Sequence, residues 1–269
     1  MDPSSIQPHN IKAAATWGAG GMAYDRISET IADAIEHCVA RLAPEPGERV
    51  LDIATGTGWT ARRLATRGTI VTGIDLGVDL IEAAKVYASK ADLTINFQIG
   101  DAERLPFGDQ TFDAITSTFG VMFVAQPEDA AAELARVCKK GGKLALLTWP
   151  ADGAMDGLFK VMKPYMTIPA SPPPSPFEWG NAKRQQQLLG QSFDLRFETG
   201  TTVLRRPDGA AVWELFVDAY GPTKALAAAL DPEKRERLQR DFIAYHESFR
   251  SELGIAMPRE YLLTVGVRK

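Results

Sequence analysis

The residues of this chain best placed to do chemistry are three acids and two glycines. Asp52, Gly56 and Gly58 sit in "LDIATGTGWTARRLA" (51–65), Asp75 ends "TGID", and Asp101 follows a glycine in "GDAERLPF" (100–107). Glycines between an apolar strand and a helix let a ligand approach the backbone closely, at a helix N-terminus that favours anions. "GTGWTA" (56–61) also fits the dinucleotide fingerprint, with Asp75 placed 19 residues after Gly56 to hold a ribose.

Asp52 argues for a different nucleotide. It lies inside the strand, where a carboxylate is costly unless something nearby uses it. Beside the glycine loop it would repel a pyrophosphate. S-adenosylmethionine carries no phosphate; it has an ammonium and a sulfonium, which an acid at that strand end suits. Asp75, at the second strand tip, is placed to accept from both ribose hydroxyls. Asp101 is placed to accept from the adenine amino group, and the Ala102 backbone N–H to donate. Each acid has a bland alternative as a cap or turn residue, but one falls at each of three successive strand ends. In open α/β sheets, ligands collect at those carboxyl ends.

These residues need a frame, and the chain supplies one. Helical spacing runs over 28–42, with Ile31, Ile35, Cys38, Val39 and Leu42 on one face. Then "RVLDIA", "IVTGIDL", "NFQIGDA", "FDAITSTFG" and "KLALLTW" read as strands, with helices at 58–67, 78–89 and 128–138 and a "KKGG" turn before the last strand. Strands alternating with helices imply right-handed crossovers and a mostly parallel, doubly wound sheet. Beyond Trp149, residues 157–166 and 181–190 read as helices, the latter with Asn181 as N-cap. The five prolines of 169–180 read as a stiff loop that cannot be a helix. A strand is expected near 194–206 and helices over 209–253, broken near Gly221-Pro222 and Asp231-Pro232. A closing strand is expected over 259–269. We read the chain as one domain, with an N-terminal helical segment (1–46, frayed over 1–15), a cofactor core (47–150), and lid and pocket insertions (151–258).

The motifs "VLDIATGTG", "VTGIDL", "GDAERLPFGDQTFDAI" and "LARVCKKGGKL" resemble the class I S-adenosylmethionine-dependent methyltransferases, in particular the branch with the ubiquinone and menaquinone C-methyltransferases. The resemblance covers roughly residues 20–150. It implies a seven-stranded Rossmann-like sheet whose last strand is antiparallel, with S-adenosyl-L-methionine as cofactor. It further implies that Asp52, Ala54, Gly56 and Gly58 line the methionyl part and that Asp75 holds the ribose. Leu76 then packs on the adenine, Asp101 and Ala102 read its edge, and Thr118 lies beside the methyl group. "AYDRIS" (23–28) resembles the segment whose Tyr reaches the cofactor carboxylate, which points to Tyr24. The chain departs from the commonest pattern in having "ATGTG" where many members have Cys-Gly-x-Gly.

Several function classes are disfavoured. The formal net charge is −4 and no basic run appears, which speaks against nucleic acid. So does "STFG" (117–120), which lacks the paired prolines of many amino-group methyltransferases. No apolar run approaches the ~20 residues of a membrane span. "MDPSSIQPHNIK" has no basic-then-apolar signal pattern, so a soluble cytoplasmic protein is expected. The two cysteines, Cys38 and Cys138, read as buried thiols, and no ligand spacing suggests a metal. The acceptor is expected to be a small apolar or aromatic molecule, with Phe119, Tyr165 and Trp179 as pocket candidates. His246 is the candidate base, ahead of His9 and His37. Two other readings stay open at this point: a protein that binds S-adenosylmethionine without transferring methyl, and a nicotinamide-dependent oxidoreductase. The sequence does not indicate the oligomeric state.

Overall fold

The computed structural model describes residues 6–167 and 172–269. Its centre is a sheet in which β1 (Arg49–Ile53), β2 (Ile70–Asp75), β3 (Asn96–Ile99), β4 (Phe112–Thr118) and β5 (Cys138–Thr148) run parallel. β6 (Phe193–Arg206) and β8 (Gly254–Arg268) complete it, β8 lying antiparallel between β5 and β6. The order is β3-β2-β1-β4-β5-β8-β6. A two-residue strand, β7 (Arg250–Ser251), pairs with β8 and brings the sheet to eight strands rather than the seven expected.

β1 and the inner part of β5 are buried on both faces and read as near-continuous apolar runs, as covered parallel strands do. α1 (Ile11–Gly18), α2 (Asp25–Glu29) and α3 (Ala32–Leu42) precede the sheet; α4 (Trp59–Ala65), α5 (Val78–Lys90) and α6 (Pro127–Val137) cross between its strands. α3 turns its apolar face, with Ile35, Cys38, Val39 and Leu42, into the core. α7 (Ala154–Met162) and α8 (Ala182–Leu189) follow β5; α9 (Gly209–Ala219), α10 (Gly221–Ala229) and α11 (Pro232–Glu247) follow β6.

Several boundaries differ from the sequence reading. The helix over 28–42 is two, because the chain turns at Thr30 and Ile31. The "KKGG" stretch belongs to β5, where a register irregularity opposite Phe112 and Ala114 absorbs it. Pro176–Gly180 forms a 3-10 turn, its one proline, Pro176, permitted at the first position after an extended Ser175; 169–171 of the proline-rich stretch lie outside the described residues. Asn181 caps α8 as expected, accepting from Lys183 N and Arg184 N. β8 begins at Gly254, five residues before the expected 259, and Pro258 sits inside it opposite Val203. The N-terminal stretch is folded from residue 6 onward, not frayed to 15.

Candidate functional site

β1 ends one residue beyond Asp52. That carboxylate is fully buried; Oδ2 accepts from Thr55 Oγ1 at 2.6 Å, and Oδ1 has no partner. Burial pushes its pKa up to about 7, against the Thr55 hydrogen bond and the Ala61 N–H and with the nearby Asp75 charge adding to the rise. The backbone then enters the left-handed region at Ala54 (φ +53°) and Gly56 (φ +57°). For Ala54 this costs about 1–2 kcal/mol.

Asp75, at the end of β2, ties two loops together. Its Oδ2 accepts from Gly56 N at 2.9 Å and its Oδ1 from Gly77 N at 2.8 Å. The Leu76 N–H also faces this carboxylate, so about one of its roughly four lone-pair sites remains. Burial raises its pKa, while the backbone donors at Gly77, Gly56 and Leu76 oppose the rise. Asp101, after β3, accepts from Glu103 N through Oδ1, and from Gln7 N and Asn10 Nδ2 through Oδ2.

At the end of β4 the hydroxyls of Thr118 and Thr60 pair at 2.8 Å. Phe119 takes φ +61° and stacks on Trp149, with ring centroids 3.7 Å apart. Gly120 lies so close to the first loop that a Cβ there would sit 2.3 Å from the Cβ of Ala54. Two non-glycine residues with positive φ, Ala54 and Phe119, thus sit at adjoining strand ends, an arrangement common at ligand sites.

One cavity spans these strand ends. Ala54, Gly56, Asp75 and Leu76 line it, and so do Tyr24, Asp101, Ala102, Thr118 and Phe119. Tyr24 is held by its neighbour: Asp25 Oδ1 accepts from Thr57 Oγ1 at 2.7 Å and from Arg62 at 2.8 Å, fixing α2 onto the glycine loop. Burial and the Asp75 charge push the Tyr24 phenol well above its usual range.

The other expected residues lie elsewhere. Asp52 sits behind the lining, and Gly58 starts α4 against the Phe97 ring. Tyr165 is off the cavity and donates to Asp241. Trp179 is buried at the end of β5, its carbonyl accepting from Thr148 and Gln185. His246 is fully buried in α11, with Nδ1 donating to Phe242 O at 2.8 Å; burial lowers its pKa to about 4. The sequence reading missed Asn10, Ala13, Ser28, Ile31 and Ile35 as lining residues. For Asn10 a signal existed. An Asn before "IKAAATW" looks like a helix cap, yet its side chain makes no cap bond and goes to Asp101 instead. Both cysteines are buried and unpaired; burial raises the Cys38 thiol to about 12, leaving it inert. Among the described residues no group of three or more His, Cys, Asp or Glu is arranged to hold a metal, and no helix is long and apolar enough to cross a membrane.

The arrangement suits one kind of ligand. Just behind the wall, Asp52 Oδ1 lacks a hydrogen-bond donor and suits a nearby cation, and Asp75, on the wall, keeps an acceptor site for a hydroxyl. S-adenosylmethionine offers both; a pyrophosphate would meet Asp52 unfavourably. Known proteins agree. Residues 51–146 match the family model described as a methyltransferase domain. An uncharacterized protein of Mycobacterium tuberculosis is 34% identical over 78% of this chain and 77% of its own. The ubiquinone/menaquinone biosynthesis C-methyltransferase of Geotalea daltonii is 35% identical over 46% of this chain and 57% of its own. In fold, the YcgJ protein of Bacillus subtilis aligns with TM-score 0.60 over 90% of this chain and 99% of its own, at 19% identity. The chain belongs to the S-adenosylmethionine-dependent methyltransferases, and part of it is similar to the ubiquinone/menaquinone-biosynthesis enzymes. It is an enzyme that uses S-adenosylmethionine as its cofactor.

Proposed function

We propose that the enzyme methylates a small organic acceptor, apolar or aromatic, by in-line displacement. The cofactor, when bound, supplies a methyl group on a sulfonium, already a good leaving group. Asp52 is the counter-charge for its cationic methionyl end, and the Ala54–Gly56 backbone and Tyr24 hold that end. Asp75 takes a ribose hydroxyl, Leu76 packs on the adenine, and Asp101 with Ala102 reads the adenine edge. Thr118, fixed by Thr60, stands beside the transferred group.

The observation that carries the acceptor class is the rest of the lining. Ile31, Ile35, Phe119, Phe123 and Val124 share the cavity with these polar groups, and its titratable members among the described residues are Tyr24, Asp75 and Asp101. Such a wall desolvates a flat or greasy molecule and holds its nucleophile in line at little entropic cost. A panel of phenols, quinols, thiols, amino acids and nucleosides, assayed for S-adenosylhomocysteine release, tests this. Turnover is expected with apolar or aromatic members of the panel. Turnover confined to the amino acids or nucleosides would overturn it.

A further inference from the structure

Residues 7–17 lie outside the matched methyltransferase segment, yet they close the adenine end of the cavity. Three contacts dock them there. Gln7 N and Asn10 Nδ2 both donate to Asp101 Oδ2, at 3.0 and 2.9 Å, and His9 Nε2 meets Glu103 Oε2 at 2.5 Å. Glu103 is itself held by the N–H groups of Ala125 and Gln126, so the dock rests on a fixed loop. Asn10 is only 4% exposed and lines the cavity together with Ala13 and Trp17. Its Nδ2 serves Asp101, and no donor among the described residues reaches its Oδ1. Asp101 has three of its roughly four lone-pair sites filled. Asn10 and Asp101 are thus joined by a hydrogen bond, both line the cavity, and each keeps an acceptor site without a protein donor.

Resting on the cofactor reading above, we infer that Asn10 is a second reader of the adenine 6-amino group. The two N–H bonds of that amine match the free site on Asp101 and Asn10 Oδ1. The 6-oxo group of inosine, itself an acceptor, would face two acceptors. Residues 7–17 are accordingly part of the cofactor site and form its outer wall.

Calorimetric binding of S-adenosylhomocysteine and S-inosylhomocysteine to wild type, Asn10→Ala and Ala13→Phe tests this without turnover. Wild type should prefer the adenosyl ligand. Asn10→Ala should weaken that ligand by about fivefold, the worth of one hydrogen bond, and reduce the preference by a similar factor. A residue that only supported the fold would weaken both ligands alike. Ala13→Phe, which puts a ring into the cavity from the helix that Asn10 precedes, should fold and fail to bind, and it decides the matter should Asn10→Ala not fold. An unchanged preference in folded Asn10→Ala, or wild-type affinity in Ala13→Phe, overturns the inference and leaves the cofactor reading standing. Failure of wild type itself to bind S-adenosylhomocysteine removes both.

Discussion

Asp52 and Asp75 are buried carboxylates at adjoining strand ends, but they are satisfied differently. Asp75 braces two backbone turns, whereas Asp52 keeps one oxygen bare. The consequence is a pH dependence. With a folded pKa of about 7, above the ordinary carboxylate value, the folded state holds a proton on Asp52 that the unfolded chain has lost. This group's contribution to stability therefore declines as pH rises from about 4 to about 7. Asp52→Asn should flatten that part of the denaturation profile. A cation bound beside Asp52 draws the proton off. Affinity for S-adenosylhomocysteine should thus rise about tenfold between pH 6 and pH 8 in wild type, and stay level in Asp52→Asn. Equal pH dependence in both proteins would show that Asp52 does not meet the cofactor's charge. His246 shows how a residue's type misleads without its place. A helical histidine suggested a base, but its ring is sealed among Phe242, Phe216 and Tyr245.

At the scale of elements, two joints set the site. The first is the staple of Asp25, Thr57 and Arg62, whose charged side chains are only 16% and 15% exposed. Arg62→Ala should cost about 1–2 kcal/mol in urea denaturation and loosen Tyr24 from the loop, so that affinity for S-adenosylhomocysteine falls too. Full affinity in that variant would mean that Tyr24 needs no such support. The second joint is the contact of the β1 and β4 ends. Gly120→Ala must push Ala54 away, and a loss of about 1–3 kcal/mol is expected together with impaired binding. A variant as stable as wild type would show that the two loops are less tightly packed than described. The glycine loop and the acids at the ends of β1, β2 and β3 were legible because strand alternation and turn residues are local signals. Of the apolar acceptor wall, only Phe119 was singled out. Tyr165 and Trp179 were aromatic candidates, but linear spacing does not say which face of an insertion meets the cavity. The insertion helices approach it through Tyr220, which packs on Trp17 and Tyr24. Asn10 escaped notice because its role depends on Asp101, 91 residues away.

Over the whole molecule, the C-terminal strand is what joins the insertions to the cofactor half. β8 pairs with β5 from Lys143↔Val267 to Thr148↔Leu262, and with β6 from Phe193↔Arg268 to Arg206↔Ile255. The sequence announced the inner half of β8 through alternating Tyr261, Leu263 and Val265. Pro258 concealed the outer half, since a proline reads as a strand end unless its missing N–H faces no partner. This connectivity makes ligand binding at the β1–β4 ends a matter for the stability of the whole chain. A ligand that binds only the folded state raises the melting temperature by mass action. The most direct measurement is thus a thermal-shift titration with S-adenosylhomocysteine and, in parallel, with NAD. A saturable rise with S-adenosylhomocysteine and none with NAD is predicted. A rise with NAD alone, or none with either from folded protein, would contradict the cofactor on which everything else here depends.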